Sequence, residues 1–236
     1  MKKILTRILC LCMIFALAGC SSSKNKDDII TVFDALDTTL NAKSGKITGS
    51  IDYTTTTSQK INYALEIIQD GNLQVKADLG LEAGGNTLDD YMHFYIKDGK
   101  TYLNYMGTKS QSIASNIGID VTSNLSVYNP FLDLTDTELN SLFESSSKDG
   151  NTYTLVLDGE QLTTLLDSMG TLSISTAKVI ATLKKDYISD LEIVIKGYQA
   201  YDETSYDVDI DITCTLEDYN SLSSIEFPSD LESYQS

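Results

Sequence analysis

Histidine occurs once in this chain, at position 93, and tryptophan not at all. One histidine excludes a metal site built on several imidazoles and leaves any Ser-His-Asp arrangement a single candidate base. No G-x-S-x-G turn accompanies it, so His93 reads as a structural strand residue. Without tryptophan, the broadest ring for stacking on sugars is missing, and the 14 tyrosines are better explained as strand formers. Only Pro130 and Pro228 are prolines, so no proline-rich linker divides the chain. Basic side chains number 17 against 34 acidic ones, a net charge of −17. That balance excludes nucleic acid as a partner, because phosphate binding needs a cationic surface. No apolar run reaches the roughly 20 residues of a lasting transmembrane helix; the run closest to it spans only residues 8–17.

That run is informative for what surrounds it. Lys2, Lys3 and Arg7 precede it, and Leu17-Ala18-Gly19-Cys20 closes it. Positive residues, a short apolar stretch and a small-residue cut site make a secretory signal, and the closing tetrapeptide resembles a bacterial lipobox. The resemblance implies cleavage between Gly19 and Cys20, diacylglycerol on the Cys20 thiol and fatty acylation such as palmitate. The implied partner is a membrane, and the implied location is the extracytoplasmic face of the bacterial cell envelope. Residues 1–19 are then a signal peptide and 20–26 the lipidated cysteine and a polar tether, with a single α+β domain at 27–236. Losing the leader removes three basic residues and no acidic one, which takes the charge to about −20. So acidic a surface favours solubility and is repelled by anionic headgroups, so anchoring falls to the acyl chains. Cys10 and Cys12 leave with the leader, and Cys214 alone cannot form an intramolecular disulfide.

Beyond the tether, Asp27 or Asp28 is placed to cap a helix, and Ile29, Phe33, Leu36 and Leu40 lie on one helical face. After Ser44 the period becomes two. Ile47, Gly49, Ile51 and Tyr53 alternate with polar residues; so do Ile61, Tyr63, Leu65 and Ile67, and then Leu73, Val75, Ala77 and Leu79. Half-buried antiparallel strands give this pattern, and Asp70-Gly71 and Asp98-Gly99 are two-residue hairpin signals. Met92, Phe94 and Ile96 share one face of the next strand, with Tyr91, His93 and Tyr95 on the other, which predicts cover on both sides. Residues 107–134 read as a polar loop with weak helical pieces. Thr135 to Glu138 is a capping box that opens a helical stripe of Leu139, Leu142 and Phe143, ended by Asp149-Gly150. A strand around Leu155, a helix from Asp158 and a closing meander follow. The last run is the cleanest, with Val208, Ile210, Ile212, Cys214 and Leu216 alternating against acids and threonines. One α+β domain results, a large antiparallel sheet with a few helices on one side.

The remaining candidates for chemistry each have a plainer reading. Asp207, Asp209 and Asp211 lack the glycine turn and closing glutamate of a calcium loop. They fit a solvated strand face that deters edge pairing. Ser145 to Lys148 matches S-x-x-K, with no S-D-N or K-T-G partner. Cys214, on the apolar side of its strand, reads as an inert core thiol. No catalytic residue, metal or cofactor is expected, and the protein is read as a monomer and not an enzyme.

The order of elements resembles the LolA/LppX/LprG-like bacterial lipoproteins. The matching local pieces are residues 44–50 opening the sheet, residues 95–102 at the central hairpin and Ile225-Glu226-Phe227-Pro228 near the end. The polar segment 107–134 departs from that pattern. The resemblance implies a half-barrel with helices lining its concave side and a lipid or acylated ligand in an apolar cleft. On this reading Ile47, Ile51, Tyr53, Ile61, Tyr63, Leu65, Met92, Phe94 and Ile96 line the groove. The rival reading is an envelope scaffold or sensory module that binds a protein or wall polymer through its acidic surface.

Overall fold

The computed structural model describes residues 24–123, 134–166, 172–201 and 204–235. The leader and Cys20 lie outside the described residues. The first helix, α1 (Lys26–Leu40), is capped by Asn25, whose side chain accepts the Asp27 N–H at 3.2 Å. The cap is therefore Asn25 rather than Asp27 or Asp28, and the two acids sit in the first turn, where the helix dipole favours them.

Six strands follow as a meander: β1 (Ser44–Thr54), β2 (Ser58–Ile68), β3 (Gln74–Ala83), β4 (Asn86–Lys97), β5 (Lys100–Tyr105) and β6 (Thr108–Ile113). A 3-10 turn at Ala114–Ile117 leaves β6. The second half comprises α2 (Asp136–Ser141), β7 (Phe143–Asp149), β8 (Thr152–Leu157), α3 (Gly159–Leu166), β9 (Leu172–Lys184), β10 (Tyr187–Tyr201) and β11 (Thr204–Glu217). All eleven strands form one sheet in the order β6-β5-β4-β3-β2-β1-β11-β10-β9-β8-β7. Two meanders thus join where β1 pairs antiparallel with β11, Ile47 opposite Leu216 and Ile51 opposite Ile212. This open antiparallel sheet with helices on one face is the α+β architecture that the periodicity predicts. The turns after β1, β3 and β5 and the paired ends of β10 and β11 gather at one end of the sheet, the tip; the turns after β2, β4, β7 and β9 gather at the other, the base.

Turn chemistry explains the hairpins. Asp98 and Gly99 both take positive φ, 51° and 75°, as a two-residue loop with primed geometry requires. Asp70-Gly71 behaves differently: it lies within a five-residue connection between Ile68 and Gln74. That connection is held from outside the hairpin, the Gln69 N–H donating to Lys43 O and the Leu73 N–H to Val121 O, both at 2.8 Å.

Two stretches differ from the sequence expectation. The polar segment after residue 107 contributes an edge strand, β6, before its 3-10 turn; residues 124–133 lie outside the described residues. The capping box at Thr135 forms in full, with both reciprocal bonds to Glu138. Its helix ends at Ser141, however, and Phe143 opens β7 rather than extending a helical stripe. A register shift between Phe143 and Ser145 breaks the period of two there, which disguises a serine-rich strand as something else.

Candidate functional site

The pairing registers sort the side chains of the sheet into two faces. Ile47, Gly49, Ile51 and Tyr53 stand opposite Leu65, Tyr63, Ile61 and Gln59 on β2, and opposite Leu216, Cys214, Ile212 and Ile210 on β11. The same row continues through Leu79 and Met92 on one side and through Leu191 and Ala181 on the other. This is the inner face. On β1, β2, β3, β10 and β11 every lysine, aspartate and glutamate falls on the opposite, outer face. The sheet's charge is therefore segregated, leaving the inner face of these strands without a single formal charge.

The inner face is covered unevenly. Helix α1 packs on β7 to β10, with Ile29, Val32 and Ala35 against Leu155, Ala177 and Ala181 in one dry cluster that also holds Leu139 and Phe143. Phe33 and Phe143 meet edge to face at 5.8 Å. Two bonds fix the helix. Its capping residue Asn25 donates its N–H to Ser146 Oγ on β7 at 2.7 Å. Thr39 Oγ1, near its C-terminal end, accepts the Ile188 N–H at 2.9 Å. Over β2 to β4 the cover comes from Ile119 and Val121 at the base, which pack with Leu73, Val75 and Ile96.

All nine residues expected to line the groove lie on this inner face. Leu65, Phe94 and Ile96 belong to the covered base cluster, and Ile96 is buried. Ile47, Ile51, Tyr53, Ile61, Tyr63 and Met92 remain half-buried, and from Ile51 and Ile61 onward the row lies toward the tip. The sequence reading omitted Ile210, Ile212 and Cys214, which continue the same open patch across the β1–β11 seam. Their alternation was visible; their proximity to β1 depends on a pairing between residues more than 150 positions apart.

One polar device interrupts the apolar patch. Tyr63 lies across Gly49 and donates its hydroxyl to Thr213 O at 2.7 Å. A Cβ on residue 49 would stand 1.9 Å from that oxygen and 2.6 Å from Tyr63 Oη, so only glycine fits. Burial, then the adjacent Cys214, pushes the Tyr63 phenol up to about 12. The Cys214 thiol is also raised, chiefly by desolvation, which keeps it protonated and a poor nucleophile. It is half-buried rather than a core thiol.

The outer face holds the other candidates apart from this patch. His93 places Nδ1 2.7 Å from Asp78 and Nε2 3.4 Å from Asp90, with its ring stacked on Tyr95. Asp209 lies 3.7 Å from Lys196 in the acidic row of β11. Phe227, Leu231 and Tyr234 cover Tyr95 and Tyr102, so the strand pair β4–β5 is covered on both sides. The Gln111 N–H donates to Gln235 O at 2.7 Å, which protects the edge of β6. Among the described residues no group of three or more metal-ligating side chains is placed to hold an ion. Nor is any helix there long and apolar enough to cross a membrane.

No family model and no curated protein matches the chain. Solved structures similar to it include LprF from Mycobacterium bovis, at 13% identity, a TM-score of 0.41, and coverage of 87% of this chain and 99% of that one. A DUF1329 family protein from Desulfovibrio piger is similar at 8% identity and a TM-score of 0.31, covering 86% and 95%. A LolA superfamily protein from Nitrosomonas europaea follows at 9% identity and a TM-score of 0.24, again covering 86% and 95%.

Proposed function

We propose that this protein is a lipid-anchored, extracytoplasmic lipoprotein of the bacterial cell envelope that holds a hydrophobic ligand, a lipid or acyl chain, on the open half of its inner face. Cys20 carries the anchor and residues 20–26 the tether. The observation that carries the reading is the half-buried patch of Ile47, Ile51, Tyr53, Ile61 and Tyr63, on strands whose charges all point the other way, which Met92 extends onto β4. Each methylene that leaves water for this surface contributes about 0.8 kcal/mol, and no charged group on these strands has to be desolvated to admit it. Binding needs no covalent step: the polar groups on the patch are the phenols of Tyr53 and Tyr63 and the Cys214 thiol, and burial raises the pKa of the last two.

The test is purification without detergent followed by solvent extraction and lipid mass spectrometry. A stoichiometric acyl ligand is expected, and its amount falls when Ile61→Asp places a charge on the patch. A lipid-free protein with no affinity for fluorescent fatty-acid probes rejects the carrier reading and favours a protein or wall-polymer partner on the outer face.

A further inference from the structure

We propose that the tip end of the sheet docks into the membrane interface, so that the open half of the inner face stands over the bilayer from which an acyl ligand would enter. This rests on the reading above of a Cys20-anchored lipid binder. Five large apolar side chains project at this end: Leu88 at the start of β4, Tyr105 and Met106 at the β5–β6 turn, and Tyr198 and Tyr206 on the β10–β11 hairpin. They are 40–57% exposed, and the hairpin carrying the two tyrosines runs past the end of β1, where Thr54 pairs with Asp209. Tyrosine and methionine at a protruding rim suit the headgroup region, where a ring can bury its body and keep its hydroxyl wet.

The openings of the molecule point the same way. At the base the inner face is closed by Ile119 and Val121, whereas toward the tip the patch stays half-exposed. The direction of α1 agrees with this orientation. Helix α1 runs from Asn25, bonded to Ser146 in the middle of β7, to Thr39, bonded to Ile188 at the base. Its N-terminus therefore faces tipward. Only five residue steps separate Cys20 from Asn25, a reach of at most about 18 Å when fully extended. So short a tether keeps the α1 wing of the sheet close to the membrane. The rim also carries Asp89, Asp90 and Asp207, so the surface it suits is zwitterionic rather than anionic.

Because the chain has no tryptophan, one introduced indole reports alone. Met106→Trp marks the tip; Ile117→Trp, at an equally exposed base position, is the control. The full chain is purified from membranes and reconstituted on vesicles of phosphatidylcholine with or without brominated acyl chains. The proposal expects a blue shift and loss of emission with brominated lipid at position 106, and neither at 117. Quenching at 117 alone, at both positions or at neither overturns it, as does a protein that fails to float with the vesicles. Intact mass of the same sample reports whether Cys20 is acylated, and lipid extraction reports whether an acyl ligand is held. Failure of the docking is thereby separated from failure of the anchor or of the carrier reading.

Discussion

The two halves of the inner face are built from the same alternating strands and end differently. On β7 to β10 the apolar row meets α1, and Leu155 and Ala181 are fully buried. On β1, β2 and β11 the corresponding row, Ile51, Ile61 and Ile212, is half-buried. Geometry makes the inequality unavoidable. Eleven strands at about 4.8 Å spacing span about 48 Å, and a helix of 15 residues is only about 22 Å long. With α2 and α3 beside β7 and β9, the helices cover one wing, and the apolar surface of the other is left for something else. An apolar strand pattern thus specifies a face that shuns water, not what covers it.

The comparison is tested most severely in the covered wing. Leu155→Ala should cost about 2–5 kcal/mol in urea unfolding, the range for a cavity in a packed core. Gly49→Ala, at the seam, should cost about 1–3 kcal/mol, because the new Cβ meets the Thr213 carbonyl and the Tyr63 hydroxyl. Ile61→Ala, in the open wing, should cost about 1 kcal/mol in the ligand-free protein. Equal losses for Leu155→Ala and Ile61→Ala would mean that the wings are equally covered in solution. The distinction sharpens with charge: Leu155→Asp should fail to fold, whereas Ile61→Asp should fold and lose acyl-probe binding.

Much of this was legible in the chain. Period-two alternation put the apolar residues of each strand on a single face, because a strand's side chains must alternate. The capping box at Thr135 and the Asp98-Gly99 turn rest on local chemistry and formed as read. What failed depends on context. Strands β6 and β7 are polar edge strands (Thr-Lys-Ser-Gln-Ser-Ile and Phe-Glu-Ser-Ser-Ser-Lys-Asp), whose formation depends on the neighbour each pairs with. The patch extends over β11 because of the β1–β11 seam, a contact that no local pattern encodes. Which wing α1 covers is set by Ser146 and Ile188, residues with no helical or strand signature of their own.

The smallest effect expected falls on the residue where the patch is polar. Tyr63→Phe removes the bond to Thr213 O and should cost about 0.5–1.5 kcal/mol at neutral pH. Its dependence on pH is more telling. The folded protein holds the Tyr63 proton up to about pH 12, against 10.0 for an ordinary phenol. Between those values the folded state binds more protons than the unfolded chain, so this group's contribution is fully present below pH 10 and is lost as pH rises through 12. Phenylalanine has no proton to lose, so the stability gap between wild type and Tyr63→Phe should narrow across that window while losses from the other tyrosines cancel. A saturating acyl ligand would desolvate the phenol further and move the narrowing to higher pH. Urea unfolding of both proteins from pH 8 upward, with and without ligand, reads this directly. A gap that stays constant would mean that Tyr63 titrates as it does in water, and that the seam is as wet as the outer face.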